Sequence, residues 1–251
     1  MIYDIIYFKW KMEEIMEENI IFKNCDYKEL LKMIKKQGIK IDSVITDPPY
    51  GVSRKNQLGF SNMGRAGMDY GAWDYNFNQK EWIKLCAPLI KDGGSMIIFN
   101  DWKNFSYIVE ELDKQGFSMK DVIRWVKPNP MPRNTERRYV GDFELAIWAV
   151  KDGGKWTFNK PSDVPYLKPL YKCASIGRGE KRLHPTQKPL KLIEELVKVH
   201  TNEGDIVLDL FAGSGTMAEA CLKNNRKFIG SELSEEYYLK AMERIKCYIH
   251  Q

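Results

Sequence analysis

The chain has 251 residues, 43% of them hydrophobic and 29% charged, with a formal net charge of +5; this suits one compact α/β domain with a modest insertion and a mildly basic balance compatible with nucleic acid. Five cysteines, odd in number and without a Cys-x-x-Cys pair, and three scattered histidines argue for reduced thiols in a cytoplasmic protein and against a disulfide framework or a bound metal. No apolar run approaches membrane-spanning length, and the apolar start Met1 to Trp10 runs straight into charges with no small-residue cleavage site, so neither a membrane span nor a signal peptide is expected.

Residues 1–18 read as an N-terminal extension, with Met12 and Met16 as alternative starts. Asn19 to Lys23 is a short strand, and Tyr27 to Gln37 is a helix with Leu30, Leu31 and Ile34 on one face. Asp26, just before it, is placed to cap that helix. Residues 42–46 form a buried strand that ends in Asp47-Pro48-Pro49-Tyr50. Neither proline donates a backbone hydrogen bond and each fixes its own φ, so the chain makes a stiff corner presenting a carboxylate, free carbonyls and a ring. Open α/β sheets bind ligands at the carboxyl ends of their strands, where this corner falls. Gly51 to Asn78 follows, rich in Gly, Asn, Ser and Arg, with Arg54, Lys55 and Arg65; a loop of that length beside such a corner reads as a lid, against the alternative of a solvated insertion.

Glu81 to Ile90 is an amphipathic helix, Ser95 to Phe99 a strand, Phe105 to Gln115 a helix, and 119–126 and 143–150 two further strands. Between those two strands, Trp125-Val126-Lys127-Pro128-Asn129-Pro130-Met131-Pro132 forms a rigid extended connection, and Arg133, Arg137 and Arg138 follow as a cluster suited to phosphates or simply to solvent. Residues 151–183 lose the periodic pattern and read as a small insertion carrying Arg178, Lys181 and Arg182. His184-Pro185-Thr186-Gln187-Lys188-Pro189 leads into the helix Leu190 to His200. The strand 205–210 then gives way to Phe211-Ala212-Gly213-Ser214-Gly215-Thr216 and a helix, and the strand 226–230 ends at Ser231-Glu232. A Gly-x-Gly turn with an acid about 20 residues on is the pattern of an adenosine-containing cofactor, and by itself it does not separate a dinucleotide from S-adenosylmethionine.

Four of these stretches together resemble the amino-group DNA methyltransferases. Asp47-Pro48-Pro49-Tyr50 is similar to their motif IV, Phe211-x-Gly213-x-Gly215-Thr216 preceded by Asp209 to motif I, and His184 to Pro189 to motif X. Trp125-x-Lys127-x-Asn129-Pro130 is similar to the segment that lines their target-base pocket. The catalytic motif precedes the cofactor motif, which is the order of the β class, and the resemblance runs from about Asn19 to Tyr248. It implies a Rossmann-like, seven-stranded mixed sheet with permuted motif order: a catalytic half over 19–150, a target-recognition insertion over 151–183 and a cofactor-binding half over 184–251. The seven strands counted above match that number, and the fold would set the strand ending at Asp47 beside the strand ending at Phe211.

The resemblance also implies roles. Asp47, Pro48, Pro49 and Tyr50 would be catalytic. S-adenosylmethionine would lie among Asp26, Asp47, Asp209, Phe211, Gly213, Ser214, Gly215, Thr216 and Glu232, with His184, Thr186, Gln187 and Lys188 at its methionine end. DNA would meet Arg54, Lys55, Arg65, Trp125, Lys127, Asn129, Arg133, Arg137, Arg138, Arg178 and Arg182. Homodimers and a cognate restriction endonuclease acting on the same site belong to the same implication. An exocyclic base amine is conjugated with its ring, so its lone pair is poorly available. Acceptors on its N–H bonds, from Asp47 and the Pro48 carbonyl, would favour a pyramidal nitrogen, largely by positioning and fixed electrostatics. The base must be flipped out or single-stranded, and Tyr50 would stack on it.

Asp at the first place of the tetrad favours adenine N6; cytosine-N4 enzymes of this motif order more often carry Ser, and they are the runner-up. RNA or protein-glutamine methyltransferases more often begin with Asn. A nucleotide-binding oxidoreductase leaves the Asp-Pro-Pro-Tyr corner unexplained. Carbon-5 cytosine chemistry would need a Pro-Cys pair near the site and finds none, and intact Asp47, Tyr50, Gly213 and Glu232 argue against a non-catalytic relic.

Overall fold

The computed structural model describes residues 15–17, 19–51, 77–130, 132, 135–137, 139–176, 182–184 and 186–249. The apolar runs read from the sequence become strands of one mixed sheet. In chain order these are β1 (Ile15–Glu17), β2 (Ile20–Lys23), β3 (Ile41–Thr46), β4 (Ile90–Asn100), β5 (Phe117–Val126), β6 (Phe143–Lys151), β7 (Leu170–Lys172), β8 (Ile206–Asp209) and β9 (Lys227–Ser231). The helices are α1 (Tyr27–Gln37), α2 (Gln79–Cys86), α3 (Phe105–Lys114), α4 (Leu190–His200), α5 (Thr216–Lys223) and α6 (Glu235–Ile249).

The strand order is β1-β2-β9-β8-β3-β4-β6-β5-β7. From β2 through β4 every neighbouring pair is parallel, while β6 runs antiparallel to both β4 and β5. Parallel strands covered on both faces need apolar side chains on both, which is why β3 and β4 read as continuous hydrophobic runs. Alternation along each strand then divides the core in two. Val44, Met96, Ile98 and Leu208 face one way, against Leu30, Ile34, Trp82, Ile83 and Leu112 of α1, α2 and α3. Ile45, Ile97, Val207 and Phe228 face the other, against Leu196, Met217, Ala241 and Ile245 of α4, α5 and α6. Each such buried aliphatic contributes about 1.5–3 kcal/mol.

All seven expected strands are present, and the sheet has two more. β1 pairs antiparallel with β2 within the stretch expected to be only an extension. β7 pairs parallel with β5 (Trp125 opposite Tyr171) within the stretch read as an insertion. Three residues are too few to show a period of two, and both strands take their form from a neighbour's backbone rather than from their own side chains. Residues 151–176 accordingly lie against the main domain. Phe158 stacks on Trp148 at 5.4 Å, and the Asn159 side chain donates to the carbonyls of Lys198 and Thr201 at 3.1 and 2.8 Å. The expected helix 81–90 starts earlier, at Gln79, and leaves the α-form at Cys86, with Ala87–Leu89 as one tighter turn containing Pro88.

Candidate active site

β3 has parallel neighbours on both sides, β8 and β4, so the carboxyl ends of the three strands open on one crevice. Asp47 emerges there. The Thr46 hydroxyl donates to Asp209 Oδ1 at 2.7 Å and ties the end of β3 to the end of β8. The proline corner is held by two other elements: Gln79 at the start of α2 donates to the Pro49 carbonyl at 2.5 Å, and Asn104 before α3 donates to the Tyr50 carbonyl at 2.6 Å.

Both oxygens of Asp47 are engaged. The Tyr50 hydroxyl donates to Oδ1 at 2.7 Å, and Lys188 forms an ion pair with Oδ2. Lys188 also reaches Glu144 at 3.1 Å, and Lys127 pairs with the other oxygen of Glu144. Burial raises Asp47 above the ordinary carboxylate range and Glu144 adds to this, while Lys188 and Tyr50 oppose it. Burial presses Lys188 toward neutrality, but Asp47 and Glu144 outweigh it and hold the ammonium firmly protonated. Glu144, despite its burial, is lowered by Lys188 and Lys127.

On the other side of the crevice β8 ends in the glycine turn. Gly213 (φ +53) and Gly215 (φ +72) both take left-handed conformations. A Cβ on Gly215 would lie 2.8 Å from that of Ala241, so this glycine also lets α6 pack close. The Gly213 N–H donates to Glu232 Oε2 at 2.8 Å and the Ser234 N–H to Oε1 at 2.8 Å, which fixes Glu232 at the mouth of the turn; burial raises its carboxyl. Asp209 accepts from the Phe211 N–H at 3.1 Å, and burial pushes it up to about 7. The Phe211 ring sits among Tyr27, Phe77 and Trp82, with ring centres 5.3–5.9 Å away. His184 packs edge-on against Tyr237 at 4.2 Å, and burial, then Lys188 and Lys240, lower it to about 4, so it is neutral at pH 7. The Thr186 N–H lies 3.3 Å from His184 Nδ1, which assigns that nitrogen as the acceptor and the tautomer as the Nε2–H form. Gln187 accepts from the Leu183 N–H at 2.8 Å.

Corner and turn border one cavity of about 1180 Å³. Single small-molecule sites usually span about 300–1,000 Å³, so this one lies just above the large end of that range. Asp26, Asp47, Pro48, Pro49, Tyr50, Lys127, His184, Thr186, Gln187, Lys188, Asp209, Phe211, Gly213, Ser214, Thr216 and Glu232 all border it. Asp26 does so while also capping α1, accepting from the Lys28 N–H at 2.8 Å. Gly215 faces α6 instead. Trp125 is only 2% exposed and lies in the core, its indole N–H donating to the Cys173 carbonyl at 2.8 Å with the Lys127 ammonium 4.6 Å over its ring. It therefore supports Lys127 from behind rather than lining the cavity. Asn129 binds Ser175, the Arg182 guanidinium donates to the Ile176 carbonyl at 3.0 Å, and Arg137 is exposed in a turn. Arg54, Lys55, Arg65, Arg133, Arg138 and Arg178, and most of the expected lid, lie outside the described residues.

Sequence reasoning missed Glu144 and Phe99, which border the cavity beside Asp47 and Lys188. The signal for Glu144 was present: it is the one charge in the run Phe143 to Val150. A lone acid on an otherwise apolar strand requires a partner.

Comparison with known proteins agrees with this geometry. A family profile described as DNA methylase, of the N6/N4 methyltransferases, matches residues 41–243. The chain is 30% identical over 250 residues to the type II methyltransferase M2.DpnII of Streptococcus pneumoniae, covering 92% of this chain and 91% of that one. It is 30% identical over 248 residues to M2.LlaDCHI of Lactococcus lactis subsp. cremoris, covering 91% and 90%. Among solved structures, the complex of M1.HpyAVI with SAM superposes with a TM-score of 0.75 at 44% identity, covering 90% of this chain and 98% of that chain. The cytosine-N4-specific PvuII DNA methyltransferase shares the fold at a TM-score of 0.67 and 20% identity. With the Asp-Pro-Pro-Tyr corner and the glycine turn facing one cavity and a family match over most of its length, this chain belongs to the N6/N4 family of DNA methyltransferases.

Proposed function

We propose that the chain transfers a methyl group from S-adenosylmethionine to the N6 amine of adenine in DNA. The observation that carries this reading is the partly buried Asp47 carboxylate at the corner of β3, facing the same cavity as the glycine turn and Glu232. The lining fits that cofactor: the Glu232 carboxylate suits ribose hydroxyls, the aromatic group around Phe211 suits an adenine ring, and the nearest atoms to a Cβ at Gly213 would be the His184 ring at 3.7 Å, which leaves the backbone open to a ligand. When bound, S-adenosylmethionine supplies a methyl already activated by a positive sulfonium.

The chain's own residues do the remaining work. Asp47 and the Pro48 carbonyl accept the two N–H bonds of the amine and direct its lone pair. Tyr50 holds the base in place, itself set by its hydrogen bond to Asp47. Asp47 serves as a hydrogen-bond acceptor for the amine, its charge balanced by the Lys188 ammonium. The base reaches this corner flipped from the duplex or single-stranded. The type II names of the relatives support placing the chain in a restriction–modification pair with an endonuclease of the same site; a homodimer rests on family resemblance.

The test is to incubate the chain with S-adenosylmethionine and mixed-sequence DNA, digest to nucleosides and identify the product by mass spectrometry. N6-methyladenine is the expected product. N4-methylcytosine would keep the fold and the acceptor mechanism but overturn the base assignment.

A further inference from the structure

We propose that Glu144, acting through Lys188, is a positioning residue for Asp47, and that the partly buried chain Asp47–Lys188–Glu144–Lys127 holds the catalytic carboxylate in its working orientation. This rests on the methyl-transfer reading above and deepens it by two residues. Lys188 sits in the motif that borders the cofactor, yet its ammonium is spent on two carboxylates from distant parts of the chain: Asp47 after β3, and Glu144 in β6 at 3.1 Å. The side chain is only 7% exposed, with the rings of Phe99 and Tyr50 at 5.0 and 5.9 Å. Glu144 divides its own oxygens between Lys188 and Lys127, and Lys127 is backed by the buried Trp125. Four charges of alternating sign therefore link β3, the segment before α4, β6 and the end of β5.

The arrangement has a chemical consequence. A carboxylate offers about four lone-pair positions. At Asp47 one is used by the Tyr50 hydroxyl and one by Lys188, which fixes the rotamer and leaves the others for an incoming N–H. A lysine paired with Asp47 alone would draw that carboxylate's electron density to itself. The second carboxylate shares the ammonium, so Asp47 remains a good acceptor while staying in place. Desolvated ion pairs are weak evidence of stability, so stability alone does not account for this arrangement.

The test uses single-turnover methylation by the full chain, followed across pH, so that product release does not mask the chemical step. Among the described residues, besides Lys188, Glu144 and Tyr50, the charged and titratable groups near Asp47 and Lys188 include Asp209 from β8, Lys127 behind Glu144, Asp101 near Tyr50 and His184, which Lys188 helps to hold neutral. Glu144→Gln removes a negative neighbour and loosens Asp47, so the rate should fall by up to about 100-fold and the acid limb of the profile should move to lower pH. Lys188→Gln removes a positive neighbour, so its acid limb should move to higher pH. Glu144→Asp and Lys188→Arg keep the charges; their limbs should stay near the wild-type position, with the rate reduced by less. Calorimetric binding of S-adenosylmethionine to Glu144→Gln should remain within a few-fold of wild type and shows that the variant is folded.

Opposite movement of the two limbs supports the proposal, because a merely structural role would lower the rate without it. Limbs that stay in place, or a wild-type rate in Glu144→Gln, overturn it. Asp47→Ala separates the two levels. If Asp47→Ala still turns over, the methyl-transfer reading of this corner fails. If Asp47→Ala is inactive and the limbs do not move, only the positioning role fails.

Discussion

At the scale of single residues, Asp209 is the most strongly perturbed acid of the motif-I turn. It is buried at the end of β8, accepts from Thr46 and the Phe211 N–H, and titrates near 7. The folded chain therefore holds a proton there that the unfolded chain has released, and this difference opens near pH 4 and closes near pH 7. Through that window the Asp209 contribution turns against the folded state as pH rises, on the order of 1.4 kcal/mol for each pH unit crossed and no more than about 4 kcal/mol by pH 8. Asp209→Asn keeps a side-chain oxygen for both donors and removes the charge. It should raise the melting temperature at pH 8 relative to wild type and have little effect near pH 4. Equal changes at both pH values would mean that Asp209 is not the group that titrates. Such a residue was legible in the sequence only as an acid beside a glycine turn; its hydrogen bond from Thr46 spans 163 positions and follows from sheet order alone.

At the scale of elements, legibility tracked burial. β3, β4 and β8 are covered on both faces, so composition alone announced them, and α1 was legible through its apolar face and its capping Asp26. β1 and β7 were not, because short edge strands carry no pattern of their own. The same reasoning explains why Trp125 was expected at the base pocket. A tryptophan between a strand and three prolines gives no sign of which face it occupies, and pairing β5 with β7 turns it inward. Among the contacts that fasten the segment after β6 are the Phe158–Trp148 stack and Asn159, with His200 edge-on to Trp148 at 4.6 Å and Lys120 over Trp156 at 4.3 Å. Phe158 is 42% exposed, so Phe158→Ala should cost only about 1–2 kcal/mol overall. It should nevertheless speed limited proteolysis between Gly153 and Lys168 well before global unfolding. Unchanged cleavage there would show that the asparagine contacts suffice.

At the scale of the whole molecule, the cavity lies where two stretches distant in sequence meet, 25–144 and 184–237. The wall with the Asp-Pro-Pro-Tyr corner comes from residues before 150 and the wall with the glycine turn from residues after 183. Ligand binding should therefore stabilise the entire fold rather than one half. At 100 times its Kd, S-adenosylmethionine adds about 2.7 kcal/mol to folding, a rise of roughly 5–10 °C in Tm for a domain of this size. The rise should appear in one cooperative transition and shrink in Glu232→Ala, which loses the carboxylate at the mouth of the glycine turn. Two separated transitions, or an undiminished rise in that variant, would contradict a cavity shared by both halves.

The pairing of β3 with β8 also bears on how the protein is made. Val44 and Leu208 are partners in the finished sheet, yet a ribosome adding about 5–20 residues per second needs roughly ten to thirty seconds to pass from one to the other. During that interval the future centre of the sheet is an apolar edge with no neighbour on one side, the kind of surface that attracts chaperones or other nascent chains. The glycine turn follows β8, so the newborn protein cannot close this cavity until β8 and the turn after it have also left the ribosome.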